Sequence, residues 1–118
     1  MEEIPRHQYG GDVLDDDSGT LSYVRIEYAG LSDSSVFDLN GLTLGSVGSG
    51  TVVDHVMVRD VLDDCFEFTG GTVNASHLVC VNAGDDLFDF TEGYVGAAET
   101  LFGQHEHRHA DRGMGAQF

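Results

Sequence analysis

The chain has no lysine and no tryptophan, a single proline and no uninterrupted apolar run of membrane-spanning length. Five arginines face 21 acidic side chains, for a formal net charge of −16. A surface of that sign repels phosphate backbones and anionic headgroups, which argues against nucleic acid and against membrane partners. Without some 18 consecutive apolar residues nothing is expected to span a bilayer. The start, MEEIPRHQYGGD, lacks the basic and apolar stretches of a signal peptide, so the cytoplasm is the default expectation for the chain as it stands. Cysteine is scarce too. Cys65 and Cys80 read as two reduced thiols packed as small hydrophobes.

What is present is a repeat. HVMVRDVLDDCFEFTGG from His55 and HLVCVNAGDDLFDFTEG from His77 keep every landmark at an offset of 22 residues: Asp63 with Asp85, Asp64 with Asp86, Phe66 with Phe88, Phe68 with Phe90. Upstream, YVRIEY from Tyr23 aligns with HVMVRD, and NGLTL from Asn40 aligns with DCFEF. Between these two pieces LSDSSVFD, Leu31 to Asp38, reads as an inserted surface loop. A Gly-Thr-aliphatic phrase opens each unit, at Gly19, Gly50 and Gly71.

Each unit holds two short runs with period-two alternation and no helical period, and 16 glycines punctuate the turns. Val24/Ile26, Val56/Val58 and Leu78/Cys80 are expected to form one set of inward ladders; Leu42/Leu44, Phe66/Phe68 and Phe88/Phe90 form the other. The outward ladders are then Tyr23, His55, His77 and Thr43, Glu67, Asp89. Like residues stacked coil upon coil describe an all-β, right-handed parallel β-helix of about four coils with a period of about 22 residues. One domain is expected over 1–118, with coils in 18–103, a cover or tail in 1–17, and a partial coil or tail in 104–118. Exposed solenoid ends favour homo-oligomers.

The phrases SGTLSYVRIEYAG, NGLTLGSVGSGTVVDHVMV, DDCFEFTGGTVNASHLV and GDDLFDFTEGYVG resemble bacterial right-handed parallel β-helix proteins of uncharacterised activity, over about Gly10 to Gly96. The resemblance implies the fold and no catalytic residues. Those look-alikes are mostly longer, exported or surface-attached chains, beside which this one looks truncated.

Three groups are candidates for chemistry. Aspartates at equivalent places in adjacent coils lie about 4.8 Å apart and repel. Solvation of the turns, raised pKa values, neighbouring arginine or a bound Ca²⁺ on Asp63, Asp64, Asp85 and Asp86 would each relieve this. Asp15, Asp16 and Asp17 are further candidate ligands or a solvated run. In HEHRHAD, alternating His105, His107 and His109 share one strand face and suit Zn²⁺. They resemble, imperfectly, the HxHxDH motif of metallo-β-lactamase-like hydrolases, since His109 and Ala110 replace its Asp and last His. The column of Tyr23, His55 and His77, flanked by Arg25 and Arg59, would either pack across strands or bind a carbohydrate or small molecule, with His55 or His77 as a base. Two functions follow as expectations. One is a Ca²⁺-binding acidic module acting as an interaction or carbohydrate-facing surface. The other is a metal-dependent hydrolase or lyase acting on an ester, lactone or glycosidic substrate.

Overall fold

The computed structural model describes residues 9–33, 37–105 and 116–117. Ten strands follow in order: β1 (Thr20–Glu27), β2 (Leu31–Asp33), β3 (Phe37–Leu39), β4 (Leu42–Gly45), β5 (Val52–Arg59), β6 (Phe66–Thr69), β7 (Asn74–Val81), β8 (Phe88–Thr91), β9 (Ala98–Gln104) and β10 (Ala116–Gln117). Parallel pairing builds one sheet in the order β1-β5-β7-β9 and a second in the order β10-β8-β6-β4. Each turn of the chain thus adds one strand to each sheet, which is a short right-handed parallel β-helix. No helix long and apolar enough to cross a membrane occurs among the described residues.

The repeat arithmetic explains the registers. Val56 pairs with Leu78 and Phe66 with Phe88, whereas Val24 pairs with Val56 across the longer first coil. Within the insertion, expected as a surface loop, β2 and β3 pair antiparallel, with Leu31 opposite Leu39. The Gly-Thr phrases are not in register. Thr20 pairs with Val52 rather than Thr51, so that phrase slips by a residue between coils.

Period-two alternation does not describe the long strands completely. Tyr23, His55, His77 and Thr100 share φ values of 56, 51, 56 and 57°. Tyr28, Asp60 and Asn82 form a second left-handed column, and Ser46, Gly70 and Glu92 a third. A left-handed residue turns the strand and shifts its alternation, so Val53 and Val56 both reach the core although two residues separate them. This conformation costs roughly 1–2 kcal/mol for a non-glycine residue. Inter-coil hydrogen bonds run on through the corners and offset it: Tyr28 N–H to Arg59 O at 3.1 Å, Asp60 N–H to Val81 O at 2.9 Å, Asn82 N–H to Gln104 O at 2.7 Å.

Inside, Val56, Val58, Leu78 and Cys80 face Leu44, Phe66, Phe68, Phe88 and Phe90, all buried. Phe66 stacks on Phe88 at 5.4 Å and Phe68 on Phe90 at 5.0 Å. Each buried phenylalanine contributes about 1.5–3 kcal/mol. Tyr94 packs against Phe68 and Phe90 and donates its hydroxyl to Val73 O at 2.7 Å. Val24 and Ile26, on the edge strand β1, are half-buried.

The cysteines correct the expectation of free thiols. Cys65 and Cys80 form a disulfide, both wholly buried, joining the entry to β6 with β7 in the next coil. Their repeat equivalents are Leu87 and Val58, so no like-on-like pattern marks the pair. The segment before β1 lies across the turns of the first coils: Ser49 N–H donates to Leu14 O, Gly50 N–H to Asp16 O, and Ser18 N–H to Thr51 Oγ1. Gly48 permits that approach, since a Cβ there would lie 2.5 Å from Asp16 N.

Candidate functional site

The acidic site is built where each coil leaves its long strand and turns into its short one. Asp60 and Asn82 begin this turn in consecutive coils, and Gly84 lets the two turns touch, because a Cβ there would lie 2.2 Å from Leu62 O. Carboxylate oxygens of Asp63, Asp64 and Asp85 then fall within 4.8 Å of one another. Those of Asp64, Glu67 and Asp89 form a second, overlapping group under the same limit. Asp64 belongs to both. Asp86 belongs to neither; its backbone N–H donates to Asp64 Oδ1 at 2.9 Å.

Burial separates the two groups. Asp64 is 5 % exposed, Glu67 3 % and Asp86 8 %, whereas Asp85 is open to water. Asn40, the first-coil equivalent of Asp64, donates its amide to Thr43 Oγ1 at 2.9 Å and to Glu67 Oε1. Asp89 Oδ1 is buried with no hydrogen-bond partner among the described residues.

These surroundings raise the acids. Burial, then the charge of Asp63, pushes Asp64 up to about 8, against the pull of the Asp86 amide. Burial and Asp85 push Asp86 up to about 6. Asp89 is raised by burial and by Glu67, and a hydrogen bond with the Asp64 side chain holds it back. Burial thus favours the protonated form of Asp64 at neutral pH, beside the carboxylates of Glu67 and Asp89. The outer group is different: it opens to solvent and has three oxygens spaced for one ion. Two ligands of a Ca²⁺ with bonds of 2.3–2.6 Å can stand up to about 5 Å apart. Neither group contains an imidazole or thiolate, so the donor set fits a hard oxygen-seeking cation better than Zn²⁺.

The ring column stands at the first left-handed corner. Tyr23 and His55 stack with centroids 4.4 Å apart, and His55 and His77 at 4.3 Å with planes 5° apart. Asp54 lies 3.4 Å from His55 Nδ1 and accepts a hydrogen bond from Ser22 Oγ; that bond, with His55, holds its carboxyl below the usual range. Arg25 pairs with Glu27 at 2.6 Å and Arg59 with Asp60 at 2.9 Å. Beside the rings runs the ladder Arg25, Met57, Val79, Phe102.

Not all candidates come together. The strand Val56 to Arg59, about 13 Å of backbone, separates His55 from the acidic turn. The imidazoles and the carboxylate groups are thus two sites. Asp15, Asp16 and Asp17 are exposed; Asp16 accepts from Ser18 Oγ and Asp17 from Gly19 N–H, both at 2.8 Å. His105 is half-buried, and His107 and His109 lie outside the described residues. Glu67 and Asp89, read from sequence as an outward ladder and as one of the stacked acidic pairs, join Asp64 in the inner group, and Glu67 is buried there rather than turned out to water.

Stacked parallel strands, cornered coils and an interior of aligned aromatics define a parallel β-helix protein. A family model described as a pectate-lyase-like β-helix domain matches residues 1–117, and the chain belongs to that family. No curated protein and no solved structure matches it.

Proposed function

We propose that this is an acidic β-helix module that binds Ca²⁺ at the turn formed by Asp63, Asp64 and Asp85 and offers its sheet faces to a carbohydrate. The observation that carries the reading is the convergence of three carboxylates from two coils within 4.8 Å, open to water on the Asp85 side. Ca²⁺ bound there would neutralise the repulsion and tie consecutive turns together. Asp63 and Asp85 supply charge from the rim. Asp64 must give up its proton to join them, so affinity rises with pH up to about 8. Asp86 N–H keeps the Asp64 carboxylate aimed throughout. The family description, pectate-lyase-like, supports the carbohydrate part. The buried disulfide supports an oxidising compartment rather than the cytoplasm.

A second reading, a hydrolase or lyase, draws on one observation: carboxylate oxygens of Asp64, Glu67 and Asp89 lie within 4.8 Å of one another where burial raises Asp64 to about 8. That grouping suits a proton donor to a leaving oxygen. In this reading the acid comes from the turn, and His55 and His77 stand apart from it.

Thermal melts of chelator-treated protein across a Ca²⁺ series test the first reading. A midpoint that climbs with Ca²⁺ in the parent and stays flat in Asp64→Asn with Asp85→Asn supports it. A flat response in the parent at millimolar Ca²⁺ overturns it.

A further inference from the structure

The longer sheet stops at an open edge on both sides. β1 and β9 are its outer strands, and among the described residues neither pairs with a strand on its far side. Such an edge presents a row of backbone donors and acceptors that another strand can take up. The inward positions are incomplete in the same places. Val53, Val56, Ala75 and Leu78 in the middle rungs are at most 3 % exposed, whereas their counterparts Leu21, Val24, Ala98 and Leu101 in the end rungs stay half-buried. Ala98 and Leu101 border a cavity of about 650 Å³, walled further by Phe90 and Tyr94.

The two edges match each other rung for rung. Carried one rung further, the register that joins β1, β5, β7 and β9 sets Leu21 over Ala98, Val24 over Leu101 and Ile26 over Gly103. A large side chain thus meets a small one twice, and Leu21 and Val24 project toward the cavity. On the outer face Ser22 falls beside Glu99, as it already bonds to Asp54 within its own chain. Arg25 falls on Phe102, a ring 56 % exposed, and a guanidinium over an aromatic face is attractive. Tyr23 falls beside Thr100, and the two share the left-handed corner, with φ values of 56 and 57°. Pairing β9 with a second β9 lacks this match. Those strands would run antiparallel, and aligning their corners at Thr100 would oppose inward Leu101 to outward Glu99.

We propose that copies of this chain stack head to tail, β1 of one adding as the next parallel strand to β9 of another, so that the solenoid continues across the junction. The partner is therefore a second copy of this chain. Its contact is heterologous, and because it repeats along the solenoid axis it extends into open chains rather than closing on a two-fold. A net charge of −16 on each copy opposes the approach at low ionic strength. Salt at about 1 M, where the Debye length is about 3 Å, removes that barrier. The assembly goes beyond the proposed function and needs neither Ca²⁺ nor a carbohydrate.

Two variants with one dead edge each provide the test. Tyr23→Asp with Arg25→Asp blocks the β1 edge, and Thr100→Asp with Phe102→Asp blocks the β9 edge. All four side chains are exposed, and aspartate tolerates the left-handed corner, so the fold is kept. Sedimentation velocity is run in chelator at low salt and at about 1 M potassium chloride, the condition that screens the charge. The parent should form species larger than a monomer that grow with protein concentration and with salt. Each variant alone should stay monomeric, and a one-to-one mixture should give a dimer and nothing larger, because one intact β9 edge meets one intact β1 edge. Arg25→Asp and Phe102→Asp as single changes should each weaken association at least tenfold. A parent that stays monomeric in high salt, a blocked variant that still associates with itself, or a mixture that stays monomeric or grows past a dimer would each overturn the assignment. Chelator keeps this outcome separate from that of the Ca²⁺ series.

Discussion

Asn82 donates its side-chain amide to Asp60 at 2.8 Å, one coil away. Four residues further along both coils, Asp64 and Asp86 occupy stacked places with two carboxyls and no such amide between them. The first pair shows how this fold satisfies a polar column: one acid, one amide. The first coil follows the same rule at Asn40, which stands in the Asp64 position and donates to Glu67. Among the described residues, the second and third coils set acid on acid at this place, and there Asp64 and Asp86 are raised.

Asp64→Asn should therefore stabilise the metal-free protein at neutral to mildly alkaline pH. The asparagine oxygen still accepts the Asp86 N–H, while the proton-or-repulsion choice disappears. A gain of about 1 kcal/mol would lift the midpoint by roughly 4–8 °C. A thermal melt in chelator checks this, and a lowered midpoint would contradict the account of the inner group.

The pH dependence has a definite sign. Asp64, Asp86 and Asp89 have folded-state pKa values above the unfolded ones, so between about 4 and 8 the native state binds more protons than the unfolded chain. Their contribution is fully present below the unfolded carboxyl pKa and is lost as pH rises through about 6 for Asp86 and about 8 for Asp64. Chelated protein should melt at steadily lower temperature from pH 5 to pH 8.5, and saturating Ca²⁺ should flatten that slope. Denaturant titrations at four pH values measure it.

Reducing the disulfide, or replacing Cys65 and Cys80 with alanine, should cost about 3 kcal/mol, as expected for closing a loop of some 15 residues. Both sulfurs are buried, so reduction should be slow in the folded protein and fast in denaturant. Mass spectrometry after thiol alkylation, with and without denaturant, reads out both halves of this expectation.

Glu92→Gly should stabilise by roughly 0.5–1 kcal/mol. Glu92 has φ 56° at a corner that glycine already fills one coil earlier, at Gly70. Removing the Cβ relieves the left-handed conformation by more than the added freedom of the unfolded chain costs. A shifted urea midpoint with unchanged slope is the expected readout.

The coil assignment was legible because repeat offsets survive in the sequence: His55 over His77 and Phe66 over Phe88 needed only alignment. The corners were not. Nothing about tyrosine or threonine announces a positive φ, and the hydrogen bonds at corners such as Tyr28 and Asp60 come from neighbouring coils. Cys65 and Cys80 escaped for another reason, since they occupy unlike positions in the repeat and meet only through the geometry of the interior. The carboxylate ladder could be read from Asp64 and Asp86. Which acid keeps its proton could not, because that depends on how deeply Asp64 sinks relative to Asp85.

The β2–β3 hairpin adds a consequence for how such a chain can change. Ser22 and Asp54 are 32 residues apart and Asp64 and Asp86 only 22, yet both spacings deliver one rung. The lattice of inter-coil hydrogen bonds counts rungs and is indifferent to the length of chain spent between them. New sequence entering between β1 and β4 leaves the inter-coil ladders in place, so the length of that connection can change while the solenoid stays the same.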